Sequence, residues 1–228
     1  ESMAGFDCSE LGWESKVPVL AKPVAECIRL LKSSKRPLIL AGHGIRLAGA
    51  VAEFKGLIEQ LRIPIVSTYN ASDIVCTDSE FYVGRLGISG QRGANLAVQN
   101  CDLLLCIGSH LSLPLTGTLF NAFAREAMIV MVDVDPVELE NATVRVDLPI
   151  QADAKHFLRE MKKGLANLGL ADIDWWRGKC LKYKDYNVVL AEWKTEKDFV
   201  NPYVFVDIIS DELSNDDVVV VDGGGTVF

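Results

Sequence analysis

Metal-binding cysteine pairs, long apolar runs and basic clusters are all missing from this chain, and each absence narrows what it can do. Six cysteines, at positions 8, 27, 76, 101, 106 and 180, include no C-x-x-C pair, and only three histidines accompany them. Common structural zinc frames are thereby excluded, so no metal site is expected, and the thiols read as reduced, small apolar side chains. No apolar stretch approaches the roughly 20 residues that a membrane-spanning helix needs. Residues 1–5 show neither the basic nor the apolar region of a signal peptide, so the expectation is a cytoplasmic location with no membrane partner. Lys and Arg number 23 against 31 Asp and Glu, a net charge of −8. Without a basic patch nothing displaces counterions from a phosphate backbone, and no nucleic-acid partner is expected. What is there is a chain of 228 residues, 49% of them apolar, long enough to bury one substantial core.

One stretch organises the rest. Residues 35–45 hold a short, wholly apolar run, Leu38, Ile39, Leu40 and Ala41, opened by Pro37 and closed by Gly42 and Gly44. Such a run suits a strand covered on both faces by helices. Helical spacing resumes over 47–61, which makes the segment strand, glycine turn, helix. A turn of that kind can serve a phosphate or dinucleotide, because bare backbone lets an anion approach while the helix start offers free N–H groups and a positive dipole end. Gly42-His43-Gly44 lacks the third glycine of the dinucleotide fingerprint, so a tight turn without a ligand stands beside that reading.

Around this stretch the chain reads as repeated strand–helix units. Residues 1–19 have no sustained period and read as a leading linker; Pro23 then opens a helix carrying Val24, Cys27, Ile28, Leu30 and Leu31. Residues 63–67 form a second apolar strand with Thr68 and Tyr69 at its C-terminal end, 71–90 read as irregular with a second glycine loop over 84–90, and 94–100 as a helix. A buried strand over 103–107 is closed by Gly108, Ser109 and His110; a helical segment over 119–126 leads to the strongest strand, 128–134. Asp133 ends that strand, where an acidic residue commonly accepts hydrogen bonds from a ribose, while Asp135 before Pro136 reads as a helix N-cap. A shorter strand over 147–151 follows, and Asp153 caps a helix over 154–168. Five such units predict an α/β fold, a Rossmann-like doubly wound parallel sheet over 20–168.

Residues 169–200 change character, with Trp175, Trp176, Tyr183, Tyr186 and Trp193 among mixed charges, and read as a helical linker packing across a domain boundary. Over 201–228 a helix with Val204, Ile208 and Ile209 as apolar contacts precedes the run Val218 to Val221 and three glycines, 223–225. That is a strand and glycine turn without a following helix, and the expectation is a truncated start of a further domain.

The order of these landmarks resembles the middle region of acetolactate-synthase-like thiamine-diphosphate enzymes. The resemblance is carried by 36–44, 63–68, 86–90 followed by 94–98, 101–108, 115–117, 132–136 and 151–153, and resumes over 201–228. It implies the central Rossmann-like domain of a three-domain enzyme, with thiamine diphosphate and Mg in the complete protein, a 2-oxo acid substrate, N- and C-terminal domains of the same chain as partners, and a homodimer or homotetramer. It implies no catalytic residue and no metal ligand in this segment. In flavin-containing members the matching positions hold FAD, and in others ADP or CoA. Carried over, they are Gly42, His43, Gly44, Thr68, Tyr69, Gly87, Ile88, Gly108, His110, Asp133 and Asp153. Gly224, Gly225 and Thr226 match the turn that touches the cofactor's diphosphate. The chain departs from the synthases at His110, where they carry arginine, and over Ser112 to Gly117, where they carry Asp-Asp-Arg-Val-Thr-Gly. Neither His43 nor His110 has a carboxylate partner at a catalytic spacing in the sequence. The alternative is a stand-alone nucleotide-binding module for FAD, NAD or ADP.

Overall fold

A computed structural model of the chain describes residues 18–140, 143–165, 172–186, 189–214 and 216–220. The glycine-rich turn over 223–225, the leading residues 1–17 and the helix end expected at 166–168 lie outside them. Six parallel strands form one sheet in the order β3-β2-β1-β4-β5-β6. They are β1 (Pro37–Ala41), β2 (Ile65–Ser67), β3 (Tyr82–Arg85), β4 (Leu103–Ile107), β5 (Met128–Asp133) and β6 (Leu148–Gln151). The central pair pairs Leu38 with Leu104 and Leu40 with Cys106, and every residue of β1 and β4 is buried. This is why both read as unbroken apolar runs rather than alternating ones. Within the sheet, proline is confined to places where a missing N–H does no harm, the first residue of β1 and the edge strand β6.

Helix α1 (Ala21–Ser33) buries Val24, Cys27, Ile28 and Leu31, one stripe at helical spacing, and packs on α7 (Ala154–Gly164). Gly164 permits that contact: a Cβ there would lie 2.5 Å from Ile28 Cδ1. Helix α3 (Val51–Leu61) joins the same group through α7, whereas α4 (Arg92–Asn100) packs with α8 (Asp174–Tyr183). Right-handed crossovers from a strand order that reverses between β1 and β4 place the two groups on opposite faces.

Several local readings are corrected. The helix expected over 47–61 is two, α2 (Gly44–Leu47) and α3, because Gly49 at φ 59° and Ala50 turn the chain between them. Within the stretch read as irregular lies β3, hidden because it is a short edge strand interrupted by Gly84 and paired to β2 across a register shift. The segment 119–126 holds only a 3₁₀ turn at Phe120–Ala122, with α5 (Leu113–Thr116) ahead of it; Ala124 at φ 42° ends any helical path. Asp135 caps α6 (Pro136–Leu139) by accepting from Val137 N at 2.9 Å, as the sequence indicates.

Beyond residue 172 the chain does two different things. Helix α8 sits against β3 and α4, and its Trp176 is fully buried with the indole N–H donating to the Pro37 carbonyl at 2.9 Å. A segment read as a linker thus contributes to the sheet's own core. Helix α9 (Pro202–Glu212) does not: Val204 is its one buried residue, and Ile208 and Ile209, expected as apolar contacts, are exposed. Val218, Val219 and Val220 are likewise exposed and belong to no strand.

Candidate functional site

The C-terminal ends of β1, β2, β4, β5 and β6 surround a cleft of about 710 Å³, opened where the strand order reverses. That position and that size are those of a ligand pocket. Leu47, Leu115 and Val132 supply apolar wall; His43, His110, Asp133 and Asp153 supply the charged or chargeable groups. Of the residues expected at a site, His43, Gly44, Thr68, Tyr69, Gly108, His110, Asp133 and Asp153 line the cleft, whereas Gly42, Gly87 and Ile88 do not. Gly224, Gly225 and Thr226 lie outside the described residues.

The glycines of the opening turn serve the backbone first. The turns after β1 and β4 cross in direct contact: a Cβ on Gly42 would overlap the Gly108 carbonyl, and one on Gly44 would lie 2.7 Å from Gly108 Cα. Gly108 itself sits at φ 60°, a left-handed conformation that favours glycine. The crossing also uses up donors. Gly42 N donates to Ile107 O and Gly44 N to Gly108 O, each at 2.9 Å, while Ile45 N and Arg46 N turn back onto Gly42 O and His43 O. The free N–H groups expected at this helix start are therefore already hydrogen-bonded.

His43 closes the turn. Its Nδ1 lies 2.6 Å from the Asn70 carbonyl, which can only accept, so Nδ1 is the donor of this hydrogen bond. The second glycine loop is braced by Asn95 and by two residues of the cleft wall, Pro114 and Tyr69. Asn95 brackets Gly87, accepting from its N–H at 3.1 Å and donating to its carbonyl at 3.0 Å. Ile88 N donates to Pro114 O at 2.9 Å, and Ser89 N to the Tyr69 hydroxyl at 3.1 Å. At φ 121°, Gly87 could carry no Cβ without meeting Pro114 O and that hydroxyl, each at 2.7 Å. Tyr69 and α5 thus hold the loop, and the exposed Ile88 side chain contributes nothing to the cleft.

The fold supplies His110 with the partners that the linear spacing hides. Its Nε2 lies 3.7 Å from Asp133 Oδ2 and its Nδ1 3.5 Å from Glu138 Oε1. These are ion-pair distances, too long for direct hydrogen bonds. His110 is 59% exposed and Asp133 only 5%, so the histidine forms a lip over a buried carboxylate. Asp133 Oδ1 accepts from Asp135 N at 3.0 Å, tying the strand end to the start of α6. Asp153 caps α7, its Oδ1 accepting from Lys155 N at 2.9 Å and His156 N at 3.1 Å. No lysine or arginine lines the cleft among the described residues. Two cations next in sequence to lining residues are engaged elsewhere, Lys155 with Gly49 O at 3.0 Å and Arg46 with Asp73. Among the described residues no group of three or more His, Cys, Asp or Glu is placed to hold a metal, and no helix is long and apolar enough to cross a membrane.

Comparison with known proteins agrees with this architecture. A probable acetolactate synthase large subunit from Methanocaldococcus jannaschii is 31% identical over 206 residues, 90% of this chain and 34% of its own length. One from Methanococcus aeolicus is 37% identical over 144 residues, 63% of this chain and 24% of its own length. The acetolactate synthase isozyme 2 large subunit of Escherichia coli is 27% identical over 213 residues, 92% of this chain and 37% of its own length. The chain thus spans between about a quarter and a little over a third of the length of these relatives. Residues 24–161, the stretch that carries all six parallel strands and their crossovers, match the family described as thiamine pyrophosphate enzyme, central domain, and the chain belongs to that family.

Proposed function

We propose that this chain is the central part of a thiamine-diphosphate-dependent enzyme of acetolactate-synthase type that forms or cleaves a carbon–carbon bond next to the carbonyl of a 2-oxo acid. The observation that carries this reading is the family match over the whole sheet, joined to relatives that are acetolactate synthase large subunits. Thiamine diphosphate, held with Mg, supplies the carbanion-stabilising chemistry, and the protein supplies orientation and exclusion of water. In this proposal the central unit of 20–168 positions the domains that flank it, 169–200 connects while its α8 packs on that unit, and 201–228 opens the domain that grips the diphosphate. Gly224, Gly225 and Thr226 would approach the diphosphate there, where backbone without a Cβ lets an anion come close. The assembly would be a cytoplasmic homodimer or homotetramer.

The deciding experiment is consumption of pyruvate and other 2-oxo acids by the full-length protein with thiamine diphosphate and Mg. Cofactor-dependent turnover is expected, and its absence across a panel of 2-oxo acids would overturn the proposal. Replacing Gly225 by Val should weaken thiamine-diphosphate binding by about tenfold or more while the sheet stays folded; unchanged affinity would remove that turn from the site.

A further inference from the structure

The cleft stands where sheets of this order bind ligands, yet among the described residues no Lys or Arg faces a phosphate there. FAD and ADP, which the family resemblance suggests for this place, both carry a diphosphate. Helix starts and cations are the ordinary means of holding one, and here each is already used. At the start of α2, Gly44 N donates to Gly108 O while Ile45 N and Arg46 N donate to Gly42 O and His43 O. The dipole end of α7 is occupied by the protein's own Asp153 carboxylate, and that of α6 by Asp135. Pro114 removes a donor from the first turn of α5. Among the described residues no Lys or Arg lines the cleft; Arg85, half-buried at the tip of β3, is not part of the lining.

Beside neutral donors such as the Thr68, Ser109 and Ser112 hydroxyls, the lining offers two carboxylates and no cation. Asp133 is buried and presents Oδ2 beside His110, while Asp153 places both capping bonds on Oδ1, leaving Oδ2 as an acceptor. A phosphate entering here would meet two carboxylates in a partly desolvated space, where like charges repel most strongly. A neutral ligand bearing hydroxyl donors would meet their complement, with Leu47, Leu115 and Val132 as apolar wall for a ring.

We infer that the cleft takes a phosphate-free ligand whose hydroxyls donate to Asp133 and Asp153, the class of an unphosphorylated nucleoside, and that it selects against nucleotides and dinucleotides. This does not rest on the thiamine-diphosphate reading, whose cofactor lies elsewhere in that proposal; either can fail alone. The test is calorimetric titration of the full-length protein, saturated with thiamine diphosphate and Mg, with adenosine, ADP and FAD at low salt. Adenosine is expected to bind about tenfold or more tightly than ADP. Asp133→Asn should weaken adenosine by about tenfold, and His110→Arg, on an exposed lip where folding is not at stake, should shift the preference toward ADP by a similar factor. ADP or FAD binding as tightly as adenosine would overturn the inference, as would no binding of adenosine at millimolar concentration. An unchanged ADP-to-adenosine ratio in His110→Arg would also overturn it, by showing that charge at the lip does not set selectivity.

Discussion

At the scale of single residues, a glycine's meaning depends on what a Cβ would meet. Gly42 faces the Gly108 carbonyl across the crossing of two turns, whereas Gly56, in the middle of α3, has nothing within 4 Å. The two therefore respond oppositely to the same change. Gly42→Ala should cost about 1–3 kcal/mol, since neither backbone can withdraw without disturbing a central strand. Gly56→Ala should gain about 0.5–1 kcal/mol by removing backbone freedom from the unfolded chain. Thermal melts of both variants check the pair, and a Gly42→Ala melt matching the parent would show the crossing to be loose. The thiols give a second contrast. Burial pushes Cys27 and Cys101 up to about 12 from an ordinary 9.0, and Cys106 and Cys180 are raised further by the same cause. Cys76 is exposed. In the folded state each buried thiol keeps a proton that the unfolded chain releases, so stability is full below the unfolded pKa and falls as pH rises beyond it. The urea midpoint should decline from about pH 9 up to about pH 12. At neutral pH a thiol reagent should modify Cys76 rapidly and the four buried cysteines only on unfolding.

At the scale of elements, legibility followed burial on two faces. Strands β1, β4 and β5 are covered on both sides, which forces near-continuous apolar sequence, and all three stand out in the chain. Strand β3 escaped because an edge strand bends around Gly84 and shares its apolar residues with the loop before it. The break between α2 and α3 escaped because Leu47, though exposed, keeps the helical period. Of the cleft, the strand-end positions were readable from topology alone, since ligand crevices form at strand tips. The pairing of His110 with Asp133 and Glu138 was not, because it exists only once β4 and β5 lie side by side. Nor could the sequence tell that Gly42 serves a neighbouring turn. Helix α9 marks the opposite limit: its apolar residues were legible, but among the described residues nothing covers Phe205, Ile208 or Ile209. Phe205→Asp with Ile208→Asp should therefore leave the melting of this chain within about 0.5 kcal/mol of the parent. In the full-length protein, where the proposal buries that face in the next domain, the same pair should be strongly destabilising. Loss of stability in the short chain would place α9 within the sheet's own fold.

At the scale of the whole molecule, the sheet joins two groups of helices and leaves its strand tips open on one side, with acidic side chains where a phosphate-binding fold would set basic ones. One contact in that frame bears on how the protein can be produced. The indole of Trp176 donates to the carbonyl of Pro37, so the first strand of the sheet is finished by a helix that arrives at the far end of the domain. The family match ends at residue 161, and a polypeptide cut there would lose that donor and uncover the side of β3 and α4. Carried on to Tyr186, it keeps both. The longer piece should express in the supernatant and melt in one sharp transition, while the shorter should collect in inclusion bodies or unfold over a broad range. For this protein the boundary to clone is set by a tryptophan and not by the edge of an alignment.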